Sequence, residues 1–314
     1  MDKILKNMEH DSSIDKSEVF TTSDEIAERF KDQIKGKTIL ITGVSPTSIG
    51  AALALSLSAY SPSLLILASR SAPKIATTIS QIHTQHPSVP LRALELDLAS
   101  LSHVTAAAHS LANLPKIDIL INNAGIMAPP FSRSEDGFES QFAVNHLGHF
   151  QLTRVLLPQL RAGGGGGRVV NVSSVGHHAG GVRFEDYNFG EGGERYKKWE
   201  AYGQSKSANV LMAVALNARG VRAWAVHPGA VETGLVKEDT REEVEALLRD
   251  APDIEMKTPK QGASTVLMAA LDPGLTDFAY LEDCKISQAA EHATDPELAE
   301  RLWKLSEELV DSKL

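Results

Sequence analysis

The feature that most constrains the fold is an alternation of short apolar runs with longer segments of helical pattern. Strands of a parallel sheet read as continuous apolar runs, because helices cover both faces of such a sheet. The pattern therefore predicts an α/β fold built on one doubly wound parallel sheet with helices on both faces. The six expected strands are Thr38–Ile41, Leu64–Ala68, Leu91–Leu96, Ile117–Ile121, Val169–Val172 and Val221–Val226, and a seventh run, Phe278–Leu281, is expected at the sheet edge.

The sequence contains no repeat and no linker long enough to divide it. Residues 1–20 are polar and mixed in charge, which predicts a flexible leader. Thr22 and Glu25 then form a capping-box pattern that predicts the start of a helix. We expect residues 21–314 to form a single domain that ends in a helix from Asp295 to about residue 310.

Composition excludes several classes of partner. The 314 residues carry a net charge of −9, with no basic stripe, which argues against nucleic acid. No apolar stretch is long enough to span a bilayer. The single cysteine, Cys284, rules out an internal disulfide and suits a reducing compartment. His177 and His178 have no carboxylate or cysteine at ligand spacing, so we expect no metal site.

A glycine-containing loop joins the first run to an alanine-rich segment. A glycine here allows a tight turn close to a pyrophosphate, and the helix N-terminus adds partial positive charge. The loop is one residue longer than the usual three-glycine pattern, and Ser48 stands in place of the middle glycine. It predicts a Rossmann-type phosphate site, or alternatively an ordinary strand-to-helix turn. The predicted contacts are Gly43, Ser45, Thr47, Ser48 and Ile49.

Polar and small residues follow the next three expected strands. Arg70 comes just after the second, where an arginine accommodates the 2′-phosphate of NADP(H) and an acidic residue would instead bind a ribose hydroxyl. Asp97 and Leu98 follow the third strand, and Asn123-Ala124-Gly125 follow the fourth. Successive strand ends share one edge of a parallel sheet, where ligands bind. We therefore expect these residues to bind a dinucleotide.

The pattern with the most chemical content is Tyr202 followed four residues later by Lys206. This spacing places both side chains on one face of a helix. A phenol has a pKa near 10, and a nearby ammonium together with an oxidised nicotinamide would lower that pKa toward neutrality. Ser174 ends the fifth expected strand and would hydrogen-bond the reacting oxygen. These three residues predict an acid/base site for hydride-transfer chemistry.

In these motifs the chain resembles the short-chain dehydrogenase/reductase superfamily, and most of all its retinol-dehydrogenase-like and WW-domain-oxidoreductase-like members. The resemblance covers roughly residues 36–290. The interval from Ser174 to Tyr202 is longer than in the simplest members, so residues 176–200 would form a loop beside the substrate. The matching pieces are Thr42-Gly43, Asp97, Asn122–Gly125, Asn145–Phe150, Asn171–Ser174, Tyr202–Lys206 and His227–Gly229.

The resemblance implies a role for each matching residue. Tyr202 would be the acid/base, Ser174 would orient the substrate oxygen, and Lys206 would lower the pKa of Tyr202 and hold the nicotinamide ribose. Asn145 would anchor a water that connects Lys206 to solvent. The nicotinamide end of the cofactor would contact Pro228, Gly229, Val231 and Thr233.

We therefore expect an NADP(H)-dependent oxidoreductase that interconverts an alcohol and a carbonyl on an apolar substrate, lipid-like or a natural product. Two alternatives are a catalytically silent NADP(H) sensor and an epimerase or dehydratase. A homodimer through the helix of Tyr202 is expected only by analogy. Ser312-Lys313-Leu314 spells the signal read by the peroxisomal import receptor, so we expect peroxisomal delivery, with the cytoplasm as the alternative.

Overall fold

The computed structural model describes residues 21–162, 166–236, 238–250 and 255–314. The expected leader, residues 1–20, lies outside the described residues. The strands are β1 (Thr38–Thr42), β2 (Leu64–Ser69), β3 (Leu91–Glu95), β4 (Ile119–Asn122), β5 (Arg168–Val172), β6 (Arg222–His227), β7 (Tyr280–Glu282) and β8 (Lys285–Ser287). The helices are α1 (Ser23–Arg29), α2 (Lys31–Ile34), α3 (Ile49–Ser58), α4 (Ala72–Gln85), α5 (Leu101–His109), α6 (Ser140–Phe142), α7 (Gly148–Arg161), α8 (Lys198–Ala218), α9 (Glu238–Asp250), α10 (Pro259–Leu271), α11 (Glu291–Thr294) and α12 (Pro296–Asp311). A π-helix spans Ala143–Leu147, and a 3₁₀-helix spans Val175–Ala179.

The strands form one sheet in the order β3-β2-β1-β4-β5-β6-β7-β8. All neighbouring pairs from β3 to β7 are parallel, which confirms the doubly wound sheet. The seventh run does extend the edge, but β8 was not expected. β8 pairs antiparallel with β7 through a turn in which Asp283 and Cys284 have positive φ angles of 46° and 60°. A turn without glycine or asparagine gives little warning of a hairpin.

Each central strand sends alternate side chains into two separate hydrophobic layers. Leu40 packs in the layer that α5, α7, α8 and α12 cover. Its neighbours Ile39 and Ile41 pack in the opposite layer, under α1, α3, α4 and α10. Successive side chains of a strand point to opposite faces, so each strand contributes apolar side chains to both layers. The polar residues follow the strands at their carboxyl ends. Helices therefore lie on both faces, as expected.

The two terminal helices follow their capping signals. The Thr22 hydroxyl accepts a hydrogen bond from the Glu25 N–H, and the Glu25 carboxylate accepts one from the Thr22 N–H at 2.7 Å. The lead-in helix is interrupted at Phe30, where α1 ends and α2 begins. Asp295 caps α12, which runs to Asp311. Among the described residues, no helix combines the length and hydropathy that crossing a bilayer requires.

Candidate active site

The crevice lies at the carboxyl ends of the parallel neighbours β1 and β4, where the chain continues to β2 on one side and to β5 on the other, the position at which open α/β sheets bind ligands. The Thr42 hydroxyl accepts hydrogen bonds from the Asn123 and Ala124 N–H groups at 2.9 and 3.0 Å. The Asn123 side chain donates to the Thr42 carbonyl at 2.7 Å. These bonds fix the ends of the two strands beside each other.

The loop after β1 is built around two glycines and one serine. A Cβ on Gly43 would lie 2.8 Å from the Ala124 Cα, and a Cβ on Gly50 would lie 2.4 Å from the Gly43 carbonyl oxygen. Ser48 is the N-cap of α3: its hydroxyl donates to the Gly43 carbonyl at 3.0 Å and accepts from the Ala51 N–H at 3.1 Å. Thr47 turns the chain with a φ of 63°. The N-terminus of α3 therefore points at the crevice without a middle glycine.

The residues expected near the adenosine lie at the ends of β2 and β3. Arg70 follows β2 directly and is exposed. Asp97 is half-buried and its carboxylate accepts the Ala99 N–H at 3.0 Å. Leu98 is buried, and its carbonyl oxygen would lie 2.5 Å from a Cβ on Gly148. Arg70 is therefore solvent-exposed after β2, whereas Asp97 and Leu98 are held by contacts with neighbouring residues.

Ser174 lies two residues after β5 and caps the 3₁₀-helix, and its hydroxyl accepts the Gly176 N–H at 3.1 Å. The same side chain hydrogen-bonds Tyr202. The preceding serine, Ser173, donates instead to the Lys206 carbonyl at 2.8 Å and so fixes β5 to α8. The two neighbouring serines thus have different tasks, and the second one faces the phenol.

Tyr202 and Lys206 lie one turn apart on α8 and are 6% and 4% exposed. The Lys206 ammonium lies 5.5 Å from the centroid of the Tyr202 ring and donates to the Val172 carbonyl at 3.0 Å. Burial raises the pKa of Tyr202 to about 12, although the hydrogen bond from Ser174 opposes this. Burial also lowers the pKa of Lys206 to about 8. In the protein alone, desolvation therefore dominates the pKa of Tyr202, and the lowering expected from an ammonium together with an oxidised nicotinamide stays a prediction.

Asn145 lies in the π-helix, a rare feature that is frequent at functional sites. Its side chain accepts the Ile126 N–H at 2.8 Å and donates to the Ile126 carbonyl and the Ser205 hydroxyl, both at 2.9 Å. A Cβ on Gly125 would lie 3.1 Å from the Asn145 Oδ1 and 3.7 Å from the Lys206 Nζ. Asn145 is therefore brought to the lysine, and a glycine leaves room between them.

His177 holds the backbone of Ser174 in place. Its Nδ1–H donates to the Ser174 carbonyl at 2.6 Å, and its Nε2 accepts the Ala290 N–H at 3.0 Å. Burial lowers the pKa of His177 to about 4, so the ring is neutral in this tautomer. Both ring nitrogens are thus engaged. In the part of the chain that is described, no group of three or more histidine, cysteine, aspartate or glutamate side chains is placed to hold a metal.

A cavity of about 210 Å³ brings the reactive residues together. The predicted residues that line it are Ile49, Asn123, Gly125, Ser174, Tyr202, Lys206, Pro228, Gly229, Val231 and Thr233. The other predicted cofactor residues lie along the same edge of the sheet, outside this lining: Gly43, Ser45, Thr47, Ser48, Arg70, Asp97, Leu98 and Ala124. The remaining predicted residues thus extend from the cavity along this edge toward Arg70.

Sequence reasoning missed most of the apolar wall. The unexpected lining residues are Ile126, Met127, Val175, Trp199, Leu235, Val236, Val244 and Met256. They come from loops and helices far apart in the sequence, so no local pattern marks them. From the loop 176–200, which was expected to shape the pocket, Gly176 and Trp199 line the cavity.

The comparisons with known proteins agree with this geometry. The model of the protein family described as short chain dehydrogenase matches residues 37–189. Retinol dehydrogenase 12 of Homo sapiens is 39% identical over 285 residues, covering 88% of this chain and 87% of that protein. An uncharacterized protein from Mycobacterium paratuberculosis superposes with a TM-score of 0.69 at 34% identity, covering 88% of this chain and 94% of that one. A short chain dehydrogenase from Escherichia coli CFT073, complexed with NADPH, has a TM-score of 0.56 at 24% identity over 77% and 93% of the two chains, a likeness of fold.

A doubly wound sheet with a half-buried serine and a buried tyrosine and lysine at the carboxyl ends of its strands defines a nicotinamide-dependent class of oxidoreductase. The chain belongs to the short-chain dehydrogenase/reductase family. Within that family it is similar to the retinol dehydrogenases, as the resemblance in its motifs implied.

Proposed function

We propose that this protein is an NADP(H)-dependent reductase or dehydrogenase that interconverts a carbonyl and an alcohol on an apolar substrate. The observation that carries the proposal is the cavity in which Ser174, Tyr202 and Lys206 meet a mostly apolar wall. Buried titratable groups with shifted pKa values that converge in a cleft are the signature of an acid/base site.

The crevice fits a nicotinamide dinucleotide. Gly43 and Gly50 leave no room for side chains, so the backbone of the loop can approach a pyrophosphate at the N-terminus of α3. The Lys206 ammonium has three donors, and the Val172 carbonyl takes one of them on the cavity floor. The remaining donors suit ribose hydroxyls. When bound, the cofactor would supply the hydride and, in its oxidised form, a positive charge near the phenol.

In the direction of reduction, Tyr202 donates its hydroxyl proton to the carbonyl oxygen. Ser174 donates a hydrogen bond to the same oxygen and stabilises the negative charge that develops there. Lys206 stabilises the phenolate that remains until Tyr202 regains a proton from solvent by way of Lys206, beside which Asn145 is held by Ile126 and Ser205. In the direction of oxidation the same proton moves back. The fixed side chains hold the substrate for transfer at short distance.

Preference for NADP(H) is proposed on Arg70. The exposed guanidinium follows β2, which is the position beside the adenosine ribose in this fold. A guanidinium binds a phosphate with charge-assisted, bidentate hydrogen bonds. No acidic residue occupies that strand end: Ser69 and Ser71 flank Arg70 and offer hydroxyl groups.

The test follows the oxidation of NADPH and of NADH by the purified protein with apolar ketones, aldehydes and acyl thioesters. Turnover that prefers NADPH supports the proposal. Tight NADPH binding without turnover on any carbonyl would favour the alternative of a silent sensor. Conversion of a hydroxylated substrate without net change in the nicotinamide would favour an epimerase or dehydratase.

A further inference from the structure

The indole of Trp199 occupies a distinctive place in the cavity wall. Trp199 lies on α8, three residues before Tyr202, so its ring stands one helical turn from the reactive phenol. The two ring centroids are 6.4 Å apart and the planes are inclined at 88°. Both rings line the same cavity. A substrate whose oxygen meets the Tyr202 hydroxyl therefore has Trp199 as an aromatic neighbour.

The polar atom of this indole is already occupied. The Trp199 Nε1–H donates to the Glu243 Oε2 at 2.9 Å, and the other carboxylate oxygen of Glu243 lies 2.6 Å from the Lys198 Nζ. Hydrogen bonds from Lys198 and Trp199 lower the pKa of Glu243, so the carboxylate is charged at neutral pH. This arrangement holds α9 against the start of α8. It also leaves the indole to present carbon surface to the cavity.

The wall around the indole is made of flexible or branched apolar side chains. Val244 comes from α9, one residue after Glu243, and Met256 lies on the chain segment before α10. Met127 and Leu235 also line the cavity. Such side chains accommodate an apolar group of almost any shape, whereas an aromatic ring distinguishes a flat π-system from a saturated chain through stacking and edge contacts. Selectivity for shape is therefore concentrated at Trp199.

We propose that Trp199 is a specificity-determining residue that selects planar, aryl-conjugated carbonyls or alcohols over saturated ones. This inference rests on the proposed function, because the selected group is the one that Tyr202 reduces or oxidises. It concerns a different measurable quantity, namely the ratio of kcat/KM values for two substrates.

The experiment uses two aldehydes with the same number of carbon atoms, cinnamaldehyde and nonanal, with NADPH as the reductant. In Trp199→Leu we expect the ratio of kcat/KM for cinnamaldehyde to that for nonanal to fall by about 2- to 12-fold, the range for one aromatic pair. Trp199→Phe keeps an aromatic ring and should retain most of the preference. Glu243→Gln still accepts the indole N–H but loses the charge that pairs with Lys198, and should also retain it.

Three results would overturn the inference. An unchanged ratio in Trp199→Leu would show that the indole does not select the substrate. An equal loss in Glu243→Gln would assign the effect to the docking of α9, and a higher ratio in Trp199→Leu would reverse the sign. If the wild-type protein reduces neither aldehyde, the proposed function fails separately. Calorimetric binding of cinnamyl alcohol and 1-nonanol with NADP⁺ present would then decide the inference, since Trp199→Leu should still reduce the preference for the aryl alcohol.

Discussion

Gly50 is the position at which adding one methyl group should weaken both the start of α3 and the binding of NADPH. In Gly50→Ala the new carbon would lie 2.4 Å from the Gly43 carbonyl oxygen and 2.9 Å from the Asn123 Nδ2, against 3.4 Å or more in ordinary contacts. The start of α3 must therefore move away from the loop by about 1 Å. That movement pulls on the hydrogen bond from Ser48 to the Gly43 carbonyl.

The cost follows from these contacts. Overpacking of this kind costs about 1–3 kcal/mol, and a lost hydrogen bond adds about 1 kcal/mol. We expect the melting temperature to fall by about 4 to 8 °C in Gly50→Ala, from roughly 2 °C per kcal/mol in a chain of this size. The Kd for NADPH should rise at least about 10-fold, because binding has to restore the displaced helix N-terminus.

Differential scanning fluorimetry with and without NADPH, together with an NADPH titration, measures both effects. Gly180→Ala is the matched control, since a Cβ there meets nothing within 4 Å and the backbone φ of 175° is extended. The control should melt within about 1 °C of the wild type. If Gly50→Ala has the same melting temperature and the same Kd for NADPH as Gly180→Ala, a Cβ at position 50 does not displace the N-terminus of α3.

Three further predictions address the cofactor, the proton and the destination. Arg70→Glu should raise the KM for NADPH by about 10- to 150-fold and leave the KM for NADH nearly unchanged, because one charge-assisted hydrogen bond is worth about 1.5–3 kcal/mol. Initial rates with both cofactors test this prediction, and equal changes in the two KM values would contradict it. Because burial lowers the pKa of Lys206 to about 8 while that of Tyr202 is about 12, kcat/KM for carbonyl reduction should fall as the pH rises through about 8 and the ammonium is lost. A pH–rate profile that stays flat through that region would contradict the role of Lys206. A fluorescent protein fused ahead of the chain should accumulate in peroxisomes and become diffuse when residues 312–314 are deleted; diffuse fluorescence from the intact fusion would refute the signal.

The sequence predicts the sheet and the reactive side chains because both follow from short-range rules. Apolar runs mark β1 to β6, and the carboxyl ends of parallel strands must share one edge, so Ser174, Asn123 and Arg70 could be placed there in advance. Tyr202 and Lys206 share a helix face at their spacing. The family motif then placed Asn145, which no local pattern marks.

What the sequence could not show depends on tertiary contacts. The apolar wall brings Trp199 of α8 to Val244 of α9, and only the folded chain makes them neighbours. The pKa of Tyr202 in the protein alone also depends on tertiary contacts, because it is burial that raises this pKa to about 12. The hairpin of β7 and β8 was missed because Asp283 and Cys284 make an unusual turn.

The proposed proton transfer depends most directly on the hydroxyl of Tyr202. Tyr202→Phe removes that one atom and keeps the buried ring, so the melting temperature and the Kd for NADPH should remain close to those of the wild type. The kcat/KM for carbonyl reduction with NADPH should fall by about 10²- to 10⁴-fold, the usual contribution of a positioned acid. A phenylalanine variant that keeps its turnover while binding NADPH normally would contradict the assignment of Tyr202 as the proton donor.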